Sequence, residues 1–585
     1  AGGEENYDKA GNLLREVALA DTTNLEAVLE FAEFAMKQND HRQAKLFYCI
    51  AYRQCSADSS DLWRLSAIQN QMGTLYAAER DYASALKFYE AAYEIEERIR
   101  ERYGFASDYS RSVVLANNFG GLYCLEGKYA DAKKMYLSAL GFLRNLLEDE
   151  GDSEFLRSEM AIEYQNLGIV AQDMGGYDEA EGYLKSALSI RDSLFLLNPG
   201  RYLSVLANSQ QALGNLYFGQ SDYAEAEPLL QKALSNRQLL YDLNPDAFRE
   251  DFAETNSSLG ALYFETGQYD LAEKHVLEAL NNYGILNELA PEVYSVQVAI
   301  ETAKLGQLYF AKSDYMKSKH YLQAALKYSE ILGPEQLYHI QMSSGGVLFA
   351  EGECAKAEQM YLKALSNYEL AGVSGKSLDR IDHVAMYNDL GSIKRVQKQL
   401  AESEAYLLKA LELVSSLFSD NQYGAREVRV LAFIQFNFAL LYNEAGLSDM
   451  SEHYLLELEQ SYEYLIAEGE ESYLKDLKFV RKTLGWFCME RGDYAEALEY
   501  YQAALGEVTD IDPILSDEDK AFVVESLTCI ARCHSMLGNY RMAIDMIDKA
   551  IDYDPMDSAL YSTKMEILRK SGIPKLIEEY QKQDD

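Results

Sequence analysis

The chain has 585 residues and a formal net charge of −40, from 54 basic and 94 acidic side chains. That balance works against a binder of nucleic-acid phosphates and against a polybasic membrane-surface protein, both of which need a positive footprint. Hydrophobic residues at 48% and charged residues at 25% describe a folded chain rather than a disordered one, and only 8 prolines fit long helices on short connections.

No apolar run approaches the ~18 residues of a membrane-spanning helix. The nearest candidate, Val430 to Tyr442, is too short and carries Gln435 and Asn437. Membrane insertion is therefore not expected. The 7 cysteines are irregularly spaced and odd in number, which fits reduced thiols and a cytoplasmic location better than a disulfide framework. The chain begins at Ala1 without Met, which leaves a removed leader open.

Taken in chain order, Tyr7 to Val17 reads as the second helix of a truncated repeat. A recurring pattern follows. The segment LGNLYFGQSDYAEAEPLLQKAL at 213–234 returns as LGALYFETGQYDLAEKHVLEAL at 259–280 and LGQLYFAKSDYMKSKHYLQAAL at 305–326. The small residue before "x-L-Y" serves as an anchor. It occurs twelve times, at Ala32, Gly73, Gly120, Gly168, Gly214, Gly260, Gly306, Gly345, Gly391, Ala439, Gly485 and Ala531. Most spacings are 46 to 48 residues, with 41 and 39 as the exceptions. Twelve and nineteen residues after the anchors sit small residues, such as Ala226 and Ala233, with Leu230 or its counterpart between them; Leu458 is the one exception. Those registers are i, i+4 and i+7, one face of a helix that can approach its partner closely. Gly127, Gly175, Gly267, Gly352, Gly446, Gly492 and Gly538 all lie seven after an anchor, where a left-handed residue can end the first helix. A tyrosine such as Tyr223 or Tyr269 then opens the second, which accounts for much of the excess of 45 tyrosines. Pro199, Pro245 and Pro291 stand fifteen before their anchors, suited to the first turn of a helix. One first helix is expected from about Pro245 to Thr266, and a local kink at Pro228.

Repeats eight to ten depart from the pattern. The short spacing into Gly345 follows Gly333-Pro334, the turn aromatic becomes Cys354, Leu400 and Ser448, and AGVSGKS lies at 371–377. A hinge between two sub-arrays, 1–332 and 333–585, and ordinary drift within one continuous solenoid are both open readings. Residues 556–580 read as a degenerate last repeat that keeps its turn at Gly572. Both chain ends can cap the stack, as repeat arrays require.

The small-residue registers, turn glycines, tyrosines and the closing Pro555 resemble the tetratricopeptide repeat family over nearly the whole chain. The long spacing is similar to the kinesin light-chain type of array. The resemblance implies an all-α, right-handed α-solenoid of about twelve helix-turn-helix units with terminal capping helices. It also implies a non-catalytic scaffold that binds a peptide or partner protein on the concave face of the superhelix. One subgroup of the family grips chaperone C-terminal carboxylates with a set of lysines, asparagine and arginine. The corresponding registers here lack that cationic set, so this function is not carried over.

Two ladders on the first helices remain. Asn70, Asn117, Gln165 and Gln211 sit three before the anchors of repeats two to five, and Phe218, Phe264, Phe310 and Phe349 sit four after the anchors of repeats five to eight. The resemblance places both on the concave face, where amides can pair with an extended peptide backbone and phenylalanines can anchor it. The other reading buries both ladders against neighbouring helices. No nucleotide-binding or nucleophile motif is present, and Cys529, Cys533 and His534 read as core residues rather than metal ligands. Asn256-Ser257-Ser258 matches a glycosylation acceptor but falls inside a helix. The expectation is therefore no catalytic residue, no metal and no cofactor. The expected partner is a protein or peptide with a basic surface, not a nucleic acid. The alternative is a ligand- or peptide-sensing regulatory subunit that controls a separate enzyme. Oligomeric state is not encoded in any of these patterns.

Overall fold

The computed structural model describes residues 2–38, 40–57, 61–103, 109–373, 380–419, 424–506 and 516–572. Among these residues the fold is an all-α solenoid of twenty-six α-helices with one short 3-10 turn. Twelve helix pairs carry the twelve anchors, preceded by α1 (Gly2–Ala20) and followed by α26 (Ser558–Ser571). Every second helix opens nine residues after its anchor, at His41, Tyr82, Tyr129, Tyr177, Tyr223, Tyr269, Tyr315, Cys354, Leu400, Ser448, Tyr494 and Tyr540. Repeats eight to ten keep this register although they lose the aromatic.

The close approach of paired helices is visible at the anchors. A Cβ added to Gly260 would lie 2.6 Å from Val276 Cγ2 and 3.3 Å from the Val276 backbone nitrogen. The small residues at the facing register, such as Ala226 and Ala272, are fully buried. Where serine replaces alanine, its hydroxyl finds a partner inside the pair: Ser403 donates to the carbonyl of Gly391 (2.7 Å) and Ser451 to that of Ala439 (2.9 Å). A polar atom is thereby accommodated in the core without a desolvation penalty left open.

The turn register is left-handed at the eleven turns that lie among the described residues. Gly127, Gly175, Gly267, Gly352, Gly446, Gly492 and Gly538 have positive φ, and the non-glycine residues with positive φ among the described residues are Arg80, Ser221, Ser313 and Lys398. All four stand seven after an anchor, so backbone geometry is kept where glycine is absent. An L-residue in this region carries a steric cost of about 1–2 kcal/mol, partly offset by the extra chain entropy glycine loses. Ser221→Gly and Arg80→Gly are therefore expected to raise stability by ~0.5–1 kcal/mol each, measured by urea unfolding. Pro199, Pro245, Pro291 and Pro334 each open a helix, and Asn198 and Asn244 cap two of them by accepting from the backbone N–H of Arg201 and Ala247. The helix expected from Pro245 runs from Pro245 to Glu265, and the one containing Pro228 continues as a single helix, Tyr223–Leu243. Asn256 lies buried in the first of these, donating to the carbonyl of Phe252.

The tyrosine three after the anchor joins successive repeats. Tyr217 donates to Glu181, Tyr263 to Glu227, Tyr309 to Glu273 and Tyr442 to Glu404, at 2.6–3.0 Å, each glutamate standing thirteen after the previous anchor. The same pair of registers holds a partly buried ion pair in repeats eight and nine, where Lys394 meets Glu358 at 2.8 Å. In the last pair Leu498 replaces the glutamate and His534 the tyrosine, and both ring nitrogens of the buried His534 lack a hydrogen-bond partner.

The chain forms two compact bodies, residues 1–312 and 313–585. The division falls in the turn of repeat seven, whereas the spacing break pointed to 332/333. The second helix of repeat seven, Tyr315–Leu326, has 12 residues against 21 in repeats four to six, and 327–331 form turns before Pro334. Part of the AGVSGKS stretch, 374–377, lies outside the described residues, as do 573–580 of the degenerate last repeat. No described helix is long and apolar enough to cross a membrane.

Candidate interaction groove

A helix paired on one face leaves its opposite face available. On the first helices that face carries the registers nine, six and two before the anchor and one after it, a stripe of i, i+3, i+7 and i+10. In the second body, three successive stripes enclose a cavity of ≈ 650 Å³. They belong to the first helices of repeats nine, ten and eleven: α18 (Arg380–Val396), α20 (Ala425–Glu444) and α22 (Leu474–Arg491). Repeat nine contributes Ala385, Asn388, Asp389 and Ser392, repeat ten Val430, Phe433, Phe436 and Asn437, and repeat eleven Asp476, Phe479 and Val480.

Phe433 and Phe479 occupy the same register in consecutive repeats and are 49% and 55% exposed. Trp486, seven residues after Phe479 and on the same stripe, is 48% exposed. Large aromatic rings left this open in successive repeats form an apolar patch of the kind that marks interaction surfaces.

The polar groups of the groove are held in place. Asn437 donates to Asn388 Oδ1 at 2.8 Å. The Tyr361 hydroxyl donates to Asp389 Oδ2 at 2.7 Å, and the Asn388 side chain also bonds to this carboxylate. Tyr361 is fully buried and packs against the anchor Gly345, so a core residue of repeat eight orients an acid of repeat nine. Burial pushes the Asp389 carboxyl up to about 6, against the opposing pull of its two hydrogen bonds.

The ladders read from the sequence occupy other places. Asn117 donates to Glu163 of the next repeat, and Gln165 accepts from Arg191 and from Ser209. Gln211 is buried and accepts from Thr255 at 2.6 Å. In each case a residue three before one anchor meets a residue five before the next, and Ser257 continues the series by donating to Glu301 at 2.6 Å. Asn70 accepts from Asn118 at 2.8 Å, and Asn117 from Asn166 at 3.3 Å. These amides therefore tie first helix to first helix in the first body.

Of the phenylalanines, Phe218 and Phe264 are half-buried, with rings 5.9 Å from Tyr223 and Tyr269 across their own turns. Phe264 also lines a small cavity of ≈ 130 Å³ with Lys304 and Gln307. Phe310 is 37% exposed. Phe349 lies in the second body, half-buried against its hydrophobic core. Phe433, Phe436, Phe479 and Asp389 were not among the residues singled out from the sequence. A scan of the register six before the anchor would have found Phe433 and Phe479, 46 residues apart.

Among the described residues, no group of His, Cys, Asp and Glu could hold a metal ion. Cys488 and Cys533 are buried thiols, pushed by burial up to about 11 and about 12. They are thus poor nucleophiles.

The fold is that of an all-α helical-repeat protein. Family models described as "Tetratricopeptide repeat" match residues 158–239, 212–284 and 483–514. The chain thus carries tetratricopeptide repeats in these segments. Similar solved structures include the APC/C hetero-tetramer Cut9–Hcn1, with 14% identity over 97% of this chain and 94% of that chain and a TM-score of 0.44. BtubC (BKLC) from P. vanneervenii shows 22% identity over 40% of this chain and 90% of its own, with a TM-score of 0.33. The apo form of RapI shows 17% identity over 52% and 97%, with a TM-score of 0.39. No curated protein matches the chain.

Proposed function

We propose that this protein-interaction scaffold binds an extended segment of a partner protein, without catalysis, in the groove formed by repeats nine to eleven. The observation that carries the reading is the alignment of Phe433 and Phe479, half exposed in one register of adjacent helices, over a cavity of ≈ 650 Å³. Fixed amides beside them, Asn388 and Asn437, supply donors and acceptors for a peptide backbone. In the first body, Asn70, Asn117, Gln165 and Gln211 then act as staples between repeats. Phe218, Phe264 and Phe310 form a secondary row beside the turns, and Phe349 holds the same register in the second body.

The experiment is the double variant Phe433→Ala and Phe479→Ala. Truncating aromatic anchors at a hot spot costs about 2 kcal/mol or more each, so binding of any partner recovered with the intact chain is expected to fall at least a hundredfold. Because both rings are half exposed, the melting temperature is expected to stay within about 2 °C of wild type. Undiminished binding by the folded variant removes the groove from the account.

A further inference from the structure

We propose that the groove reads a cation: a Lys or Arg side chain of the bound segment, its stem against Phe433 and Phe479 and its charge at Asp389. This rests on the groove being the docking site. The argument comes from which charges are satisfied and which are not. Around the groove, basic side chains are committed elsewhere. Lys394 pairs with Glu358 and Glu402, Arg395 and Lys398 with Glu444, Arg429 with Glu470, and Arg481 with Glu459 and Glu463. Asp389 and Asp476, the two carboxylates lining the cavity, have no ion-pair partner among the described residues.

Asp389 is moreover positioned. The Tyr361 hydroxyl and the Asn388 amide hold it from within the stack, so a ligand meets a carboxylate of fixed orientation. A cation arriving there gains a charge-assisted hydrogen bond, and exposed aromatic faces beside it add cation–π attraction. Neither contribution favours an acidic or neutral polar side chain. The lining contains no basic residue, and the chain carries 40 excess negative charges, so an anionic segment would be repelled during encounter.

The test is a library of twelve-residue peptides displayed on phage, selected on the full-length chain. Selected peptides are then resynthesised and titrated against wild type, Asp389→Asn, Asp476→Asn and the Phe433→Ala/Phe479→Ala double variant. The expected result is peptides in which Lys or Arg adjoins an apolar residue. Their affinity falls at least tenfold on Asp389→Asn, and replacing the peptide cation by Gln costs much less in that variant than in wild type. If Asp389→Asn melts early, Asp476→Asn, at an exposed position, carries the same comparison. Peptides that depend on the two phenylalanines but are indifferent to their own cation and to both aspartates overturn the cation inference and leave the groove standing. Peptides that bind the phenylalanine double variant undiminished, or a selection that yields none, overturn the groove reading and this inference with it.

Discussion

Glu163→Gln is expected to stabilise the first body strongly at pH 8 and hardly at pH 4. Glu163 is fully buried in α8 (Glu154–Asp173), accepts from Asn117 through one oxygen, and has no hydrogen-bond partner for the other. Burial is the main cause that pushes its carboxyl up to about 8, with Glu159 adding to the effect and the Asn117 bond opposing it. The unfolded chain releases this proton near pH 4.5, whereas the folded chain keeps it to about 8. Between these values the folded state binds the extra proton, so stability falls as pH rises, by up to ~1.4 kcal/mol per pH unit. It is greatest below the lower value and flat above the upper one, a loss on the order of 5 kcal/mol. The neutral amide of Gln removes that dependence. Melting curves of both proteins at pH 4, 6 and 8 check the claim, and a wild-type–variant difference that does not grow with pH contradicts it.

Gly260→Leu is expected to destabilise its repeat by about 3 kcal/mol or more. The new Cβ alone would sit 2.6 Å from Val276 Cγ2, and the β-branched valine has little rotamer freedom with which to withdraw. The backbone nitrogen of Val276, 3.3 Å away, cannot move without separating the two helices. In a solenoid each repeat contacts its neighbours, so the damage is local. Hydrogen exchange is expected to accelerate across Pro245–Leu289 and to spare the second body. Unchanged protection in this segment would show that the pair tolerates a wider separation than its anchor glycine implies.

Most of the fold was legible because the contacts that make it are local and recur. The anchor glycine, the small residues facing it and the left-handed turn all lie within one repeat, so their spacing in sequence is their spacing in space. That is why the start of every second helix follows from its anchor even where Cys354, Leu400 or Ser448 replaces tyrosine. What joins one repeat to the next is less legible. The amides of Asn117, Gln165 and Gln211 are polar residues on the first helices, which the sequence equally allows to face a ligand. Only the stacking of adjacent helices brings them to Glu163, Ser209 and Thr255. In the sequence the tyrosines three after the anchor only mark the repeat, yet Tyr217, Tyr263, Tyr309 and Tyr442 each carry a hydrogen bond to a glutamate of the preceding repeat.

The groove was hidden for a related reason. It draws residues from three repeats, and its acid is set by Tyr361, whose position in the sequence marks it as core. Repeats eight to ten stood out through what they lack, the turn aromatic and the usual spacing. The aromatic gain at Phe433 and Phe479 is a separate signal, visible only when the same register is followed across repeats.

The most direct test of the account is to place a photo-reactive phenylalanine analogue at 433 and, separately, at 479, and to illuminate the chain with its captured partner. The account predicts cross-links from both positions to one continuous segment of the partner, competed by a peptide of that segment. Cross-links absent from both positions while the partner remains bound, with links instead from probes placed outside the groove, would contradict it.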